Sequence, residues 1–566
     1  VNQPTPAIVA QGAVRRLPRI ALLLFCAAYV LPGFIGREPW KSADMTSFGY
    51  MLELARGASG WLHPQLLGLP PETDGPLPYW LGAWALQAAP GWITPAFAAR
   101  IPFVFLLALT LVATWYGVYY LARSTQAQPV AFAFGGEAKP TDYARAMADG
   151  GLLALMACLG LAQLSHEITP ALTQVCFTAL TFYAVAAAPY RTVAPAIGLT
   201  VGMAGLVASG APAMATLFAA GSALLCLAEP DESHDARRRS IFWACGIVVV
   251  TLLAAWLAAW LDLWRWRATL PESRWVEWRN LGRLLLWFTW PAWPLALWTL
   301  WRWRRQLASR QLSRHLALPL WFVLVSVGAM TIMRPADRAL MLGMPALATL
   351  AAFALPTLKR SVTALIDWFT LLFFTGSAVI IWAIWISMQT GFPKQPAANV
   401  ARLAPGFEPS FSLLAFLVAL AATLTWGWLV KWRVGRNRAA IWKSLVLPAG
   451  GTALSWLLLM TLWLPVLDFA RSYAPLVGRV VSVINRPECV EVYGLSRGQI
   501  TAFQYHGHLN LKEAAMQAQC PWLVVDADAR DTLHKSVNLK QWTLQGIFRR
   551  PSDDNENVLL YKRAPR

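Results

Sequence analysis

The chain has 566 residues, of which 57% are hydrophobic and only 14% charged, with 31 tryptophans and a formal net charge of +19. A soluble protein of this length could not hide so much apolar surface from water, so a soluble enzyme or binding module is excluded. The basic balance does not argue for nucleic acid, because Lys and Arg fall mainly in short loops between apolar runs, the mark of a cytoplasmic face, and indole rings suit the membrane interface.

Arg15, Arg16 and Arg19 precede the first apolar run, 20–35, which no small-residue cleavage site follows, so it reads as a retained span with a cytoplasmic N-terminus. Then comes the polar stretch 37–80, part of a first external loop over 37–98. It holds Arg37-Glu38-Pro39-Trp40, Asp44, a helix-like piece over 45–56, His63, Glu72 and Asp74. Charged groups are costly beside a bilayer unless they have a task, so this stretch is read as the floor of an active site. The apolar piece 77–89 is short and flanked by Pro76, Pro78 and Pro90, which suits an interfacial segment better than a crossing.

Further spans are expected at 101–122, 146–165, 169–188, 193–209, 212–228, 241–262, 284–301, 317–333, 339–357, 364–388, 411–430 and 445–467, about thirteen in all with the first. Leaving 77–89 out of that count puts nearly every basic loop on the cytoplasmic side and the C-terminus outside. The external loop 262–283 breaks the pattern: Arg265, Arg267, Arg274, Arg279 and Arg283 are interleaved with four tryptophans. Such a loop suits either an anionic ligand, such as a lipid phosphate, or ordinary headgroups. Glu167, after His166, is expected at an external turn, and Arg334 and Arg338 at another.

From residue 468 onward the character changes. Short apolar stretches at 490–493, 522–525 and 558–561 read as strands and 511–519 as a helix, giving a small α/β domain over 468–566 behind a transmembrane domain over 1–467. Cys489 and Cys520 are the only cysteine pair in that part and can be joined if it faces an oxidising compartment. His63, Glu72, Asp74 and His166 have metal-ligand chemistry without diagnostic spacing, which leaves a divalent ion as an option. Asp44 is also well placed to cap the helix that follows it, and Arg334 and Arg338 could be plain headgroup contacts.

The order Arg37-x-Pro39-Trp40-x-x-x-Asp44, then Trp61-Leu62-x-Pro64, then Pro76-Leu77-x-Tyr79-Trp80, then Arg100-Ile101-Pro102 resembles the integral-membrane C-type glycosyltransferases. The nearest branch is the undecaprenyl-phosphate-aminoarabinose:lipid A transferases, related to the protein O-mannosyltransferases. Arg338 with Pro345 is similar to a further stretch of that family. The resemblance implies an all-α polytopic GT-C fold with a small periplasmic α/β domain, in a bacterial inner membrane. It implies inverting transfer of a sugar from a polyprenyl-phosphate donor to a lipid, glycan or protein acceptor at the periplasmic face, as in lipid A modification. By resemblance Asp44 is the base, or an orienting group if the acceptor is already an ionised phosphate, and Glu167 assists it. Arg265, Arg267, Arg274, Arg279, Arg334 and Arg338 are expected to hold the donor phosphate, and Trp40, Glu72, Asp74, Tyr79 and Trp80 the substrates. Where the family has an acidic residue after the Asp, this chain has Met45. Two lysine-bearing stretches are here Thr73-Asp74-Gly75-Pro76 and Ala208-Ser209-Gly210-Ala211. The competing reading is a transporter or flippase of a lipid-linked sugar. Transporters place ionisable groups near mid-membrane, whereas here the acidic groups gather at one end.

Overall fold

The computed structural model describes residues 5–72, 74–228, 234–265, 275–309, 312–434, 440–485, 487–553 and 556–564. Apolar helices make up most of the chain, and a five-stranded sheet closes its C-terminal end. Six described helices are long and apolar enough to cross a membrane: Pro95–Ala122, Pro170–Ala187, His234–Trp260, Arg314–Ile332, Arg360–Thr390 and Leu413–Arg433. A seventh crossing is added if Lys443–Leu459 and Leu464–Arg471, bent by 69° between them, form one broken span. Several expected spans are therefore not single rods. The run 146–165 breaks at Cys158, whose extended backbone separates Pro140–Ala157 from Leu159–Leu164. The run 284–301 is divided between Trp275–Phe288 and Ala292–Arg302, with Pro291 at the start of the second helix, where a missing N–H costs nothing. Hydropathy alone cannot see such breaks, because both halves stay apolar.

Helix Pro170–Ala187 is the most enclosed of the six, with 83% of its apolar window buried, against 17% for Leu413–Arg433 at the periphery. It packs against Ile101–Ala122 and Val193–Ala208. Close approach is set by small residues. A Cβ on Gly202 would meet the Thr181 side chain at 2.4 Å, so only glycine lets these two helix backbones come together here. Helix Leu77–Ala88 forms as a short piece and packs on Ala43–Ala55, the helix expected over 45–56.

In the C-terminal part, strands β1 (Val490–Tyr493), β2 (Leu511–Glu513), β3 (Trp522–Asp526), β4 (Trp542–Arg549) and β5 (Asn557–Arg563) form a sheet of order β2-β1-β3-β5-β4. β1 runs parallel to both neighbours, whereas β5 runs antiparallel to β3 and β4. The helix expected over 511–519 is not there. Leu511 to Glu513 instead pair with Val490 to Val492, so the backbone bonds a helix would supply are made by the sheet edge. Helix Arg497–Tyr505 lies between β1 and β2 in the chain and begins with a capping box in which Ser496 and Gln499 satisfy each other's backbone N–H. Cys489 and Cys520 form the disulfide, with Cα atoms 5.4 Å apart. Beside them the buried Glu491 Oε1 accepts from the Gln519 and Cys520 amides. The expected boundary near 468 falls inside helix Leu464–Arg471.

Candidate active site between the first loop and the C-terminal domain

Two polar assemblies meet at the end of the helix bundle that carries the sheet. The first is a buried hub around Asp44, a residue only 1% exposed. Its Oδ2 accepts from Arg37 Nη2 at 2.9 Å and from the Trp40 amide at 3.1 Å, with Arg100 Nη2 at 3.5 Å. Its Oδ1 accepts from the Ile168 amide at 2.8 Å. Arg37 also donates to the His166 carbonyl at 2.9 Å and lies over the Trp40 ring, while Arg100 donates to the Arg37 carbonyl. The Trp40 ring has a second guanidinium near it, Arg471, and its Nε1 donates to Asp468 at 2.7 Å. The hub thus ties the first loop to the turn before Pro170–Ala187, to the start of Ile101–Ala122 and to Leu464–Arg471.

The second assembly is a cavity of about 600 Å³. One side comes from Ser42, Thr46 and Ser47 at the start of helix Ala43–Ala55, another from Glu72 and Asp74, and a third from Arg334 and Arg338. Arg265 lines it as well, and Ser496, Arg497 and Gly498 of the C-terminal part complete it. Gly75 is what brings Asp74 here: a Cβ at that position would meet the Ala208 carbonyl oxygen at 2.1 Å and the Gly210 nitrogen at 2.7 Å. The two stretches in which lysines were expected, around Asp74 and around Ser209, are therefore packed on each other.

Asp74 accepts from the Tyr79 hydroxyl at 3.1 Å, and burial raises its carboxyl above the usual range. Arg497 donates to Glu72 at 2.8 Å, to the Tyr50 hydroxyl at 3.0 Å and to the Pro70 carbonyl at 3.0 Å. Arg338 stands 3.7 Å from Glu167. Burial, and then the charge of Asp44, push the Glu167 carboxyl up to about 7, with Arg338 and Arg37 opposing the rise. Arg334 lies 3.8 Å from Glu277, and Arg265 3.0 Å from Asp262.

Several expected site residues are placed elsewhere. Asp44 and Glu167 do not line the cavity; they lie in or beside the hub behind it. Trp40, Tyr79 and Trp80 do not line it either. Trp40 is sandwiched in the hub, Tyr79 is buried behind Asp74, and Trp80 Nε1 donates to the Trp61 carbonyl at 2.6 Å. Expected to hold the substrates, these rings instead make internal bonds: Trp40 and Tyr79 donate to the carboxylates of Asp468 and Asp74, and Trp80 to a backbone carbonyl. Arg279 is exposed on Trp275–Phe288 and is not part of the wall, whereas Arg267 and Arg274 lie outside the described residues. His63, Glu72, Asp74 and His166 do not converge. His166 Nε2 sits 2.9 Å from the Tyr29 carbonyl oxygen and Nδ1 against that of Ala162, and burial pulls the ring down to about 3. Among the described residues no three His, Cys, Asp or Glu side chains come together as a metal site. Arg497 is the wall residue that sequence reading missed. Nothing around it in the sequence marks it, and only the docking of the C-terminal part brings it to Glu72.

In comparison with solved structures, the chain is similar to ArnT from Cupriavidus metallidurans bound to undecaprenyl phosphate, at 14% identity and a TM-score of 0.58 over 96% of this chain and 98% of that one. It is similar to the apo state of ArnT from the same organism at 13% identity and a TM-score of 0.58, over 97% and 98%. The architecture is thus that of ArnT along nearly the whole chain, and the expected fold class, a helical membrane protein with a small C-terminal sheet domain, holds. No family model matches the chain, and no curated protein matches it by sequence.

Proposed function

We propose that this chain transfers a sugar from a polyprenyl-phosphate-linked donor to an acceptor at the external face of the bacterial inner membrane, with inversion at the anomeric carbon. The observation that carries the reading is the cavity in which Arg338, Arg334, Arg265 and Arg497 face Glu72 and Asp74, at one end of a membrane bundle with the fold of ArnT. A solved ArnT structure holds undecaprenyl phosphate, which makes a lipid phosphate the natural occupant of such a guanidinium cluster.

In the reaction the bond between the anomeric carbon and the phosphate oxygen breaks, and its electron pair leaves with the phosphate. Guanidiniums at the leaving group stabilise that charge as it develops. The acceptor oxygen forms the new bond from the opposite side. If it is a hydroxyl, its proton needs a carboxylate within reach, and Asp74 lines the cavity with burial favouring proton uptake. If the acceptor is a phosphate, as in lipid A modification, no base is required. Asp44 takes the orienting role rather than that of base: both its oxygens are engaged by donors behind the wall. Glu167 positions Arg338. The test is turnover by purified protein in liposomes supplied with a polyprenyl-phosphate-linked sugar and an envelope lipid extract. Release of polyprenyl phosphate with sugar appearing on the acceptor is expected; movement of intact donor across the bilayer without transfer would instead make the chain a flippase.

A further inference from the structure

A second cavity, of about 730 Å³, opens along helix Arg19–Val30 and is walled on its other sides by Ile101–Ala122 and Pro140–Ala157. Its length is apolar, with Leu23, Val30, Phe105 and Val112 among the lining residues. One end is basic: Arg16, Arg19 and Arg145 line it. The carboxylate at that end, Asp149, is committed inward, its Oδ1 accepting from Trp115 Nε1 at 2.9 Å and its Oδ2 from the Leu17 amide at 3.3 Å. Arg16 is shared with Asp142 at 3.2 Å, and Arg145 is only 3.9 Å from the same carboxylate. Arg19 has no carboxylate within ion-pair distance among the described residues. The end therefore presents spare guanidinium capacity at the mouth of an apolar trough.

Two lengths decide what fits. From Arg19 to Leu31 the helical rise covers about 18 Å, close to the roughly 15 Å of one leaflet's hydrocarbon. The basic end lies by Trp115, fifteen residues along its helix from Arg100 in the hub, or about 22 Å of rise. An anion seated there belongs to the leaflet opposite the active site. The outer side of Arg19–Val30 is lipid-like, with Ile20, Leu23 and Leu24 exposed, so the trough opens on the membrane-facing surface. We propose that this groove binds an anionic glycerophospholipid, its phosphate on Arg19 and Arg145 with Arg16 at the rim, and one acyl chain laid along the trough. The bound lipid would brace the short first helix, which at 12 residues makes few turns of its own.

The test uses the delipidated full chain in mild detergent. Native mass spectrometry and thermal denaturation compare phosphatidylglycerol with phosphatidylcholine of the same chains. Retention of phosphatidylglycerol and a melting temperature raised by it alone are expected, and Arg19→Gln with Arg145→Gln should weaken its binding roughly tenfold or more. Equal effects of the two lipids, or an unchanged preference in the double variant, would overturn the proposal. Should the double variant be unstable without lipid, Ala108→Trp fills the trough and leaves the arginines in place; undiminished phosphatidylglycerol binding by that variant would also overturn it. Arg338→Gln should leave the effect intact. If Arg338→Gln abolishes it, or if undecaprenyl phosphate displaces phosphatidylglycerol in an Arg19-dependent way, the site is not the phospholipid groove described.

Discussion

The hub around Asp44 and the cavity around Arg338 are built from the same ingredients, carboxylates and guanidiniums within 4 Å of each other, yet they do different things. In the hub, Arg37, Asp44 and Arg100 have side chains at most 1% exposed, and the carboxylate is met by two guanidiniums and two backbone amides. Its donors come from segments far apart in sequence, which makes it a joint. In the cavity, Arg338 and Arg497 keep about a quarter of their side-chain surface open, and each is held by a carboxylate while still reaching the wall. Burial decides between structural and chemical use: an ion cluster closed off behind the wall cannot meet a substrate, whereas a half-open guanidinium can exchange its partner for an incoming phosphate.

The sharpest way to break that comparison is to remove Asp44. Asp44→Ala leaves Arg37 and Arg100 buried without their carboxylate, so a loss of roughly 3–5 kcal/mol in stability is expected, seen as a lowered melting temperature in detergent. A variant that melts like the parent but does not turn over would make Asp44 a chemical group and erase the distinction. Next in size, Arg338→Gln should reduce sugar transfer by roughly 10²–10³ with little change in melting temperature. Asp74→Asn should lower kcat by roughly 10² or more for a hydroxyl acceptor and much less for a phosphate acceptor, so measuring both separates the two acceptor classes. Arg497→Ala should raise the donor KM by roughly tenfold while leaving kcat nearer the parent value.

The smallest effect sits where the two regions touch. Glu167, raised from an ordinary 4.5 to about 7, keeps its proton in the folded protein over an interval where the unfolded chain has already released it. Its contribution to stability is therefore complete below about pH 4.5 and is lost as pH climbs through 7. Melting temperature should fall over that interval, and Glu167→Gln should flatten that part of the slope. An unaltered slope would place the Glu167 proton outside the linkage between hub and cavity.

Much of this was legible from residue order. The apolar runs gave the class, the polar stretch 37–80 contributes Glu72 and Asp74 to the wall of the candidate cavity, and Cys489 and Cys520 are joined in the structure. Which polar groups face the cavity was not legible, because it depends on contacts across hundreds of positions. Asp44 reads in sequence as a base, an orienting group or a helix cap, but Arg100 and Ile168 reach it from elsewhere and bury it. Arg497 lies in a segment with no catalytic pattern, and it becomes part of the wall through Glu72, 425 residues away. The strand Leu511–Glu513 was mistaken for helix because three residues at a sheet edge carry too short a period to be recognised.

The account is tested most directly by the affinity of the purified protein for undecaprenyl phosphate, measured for the parent, Arg338→Gln and Asp44→Ala at temperatures where each remains folded. Binding weakened at least roughly tenfold by Arg338→Gln, and by Asp44→Ala only to the extent that its folded fraction falls, is the expected result. Parent-like affinity in Arg338→Gln, with binding lost in a well-folded Asp44 variant, would contradict it.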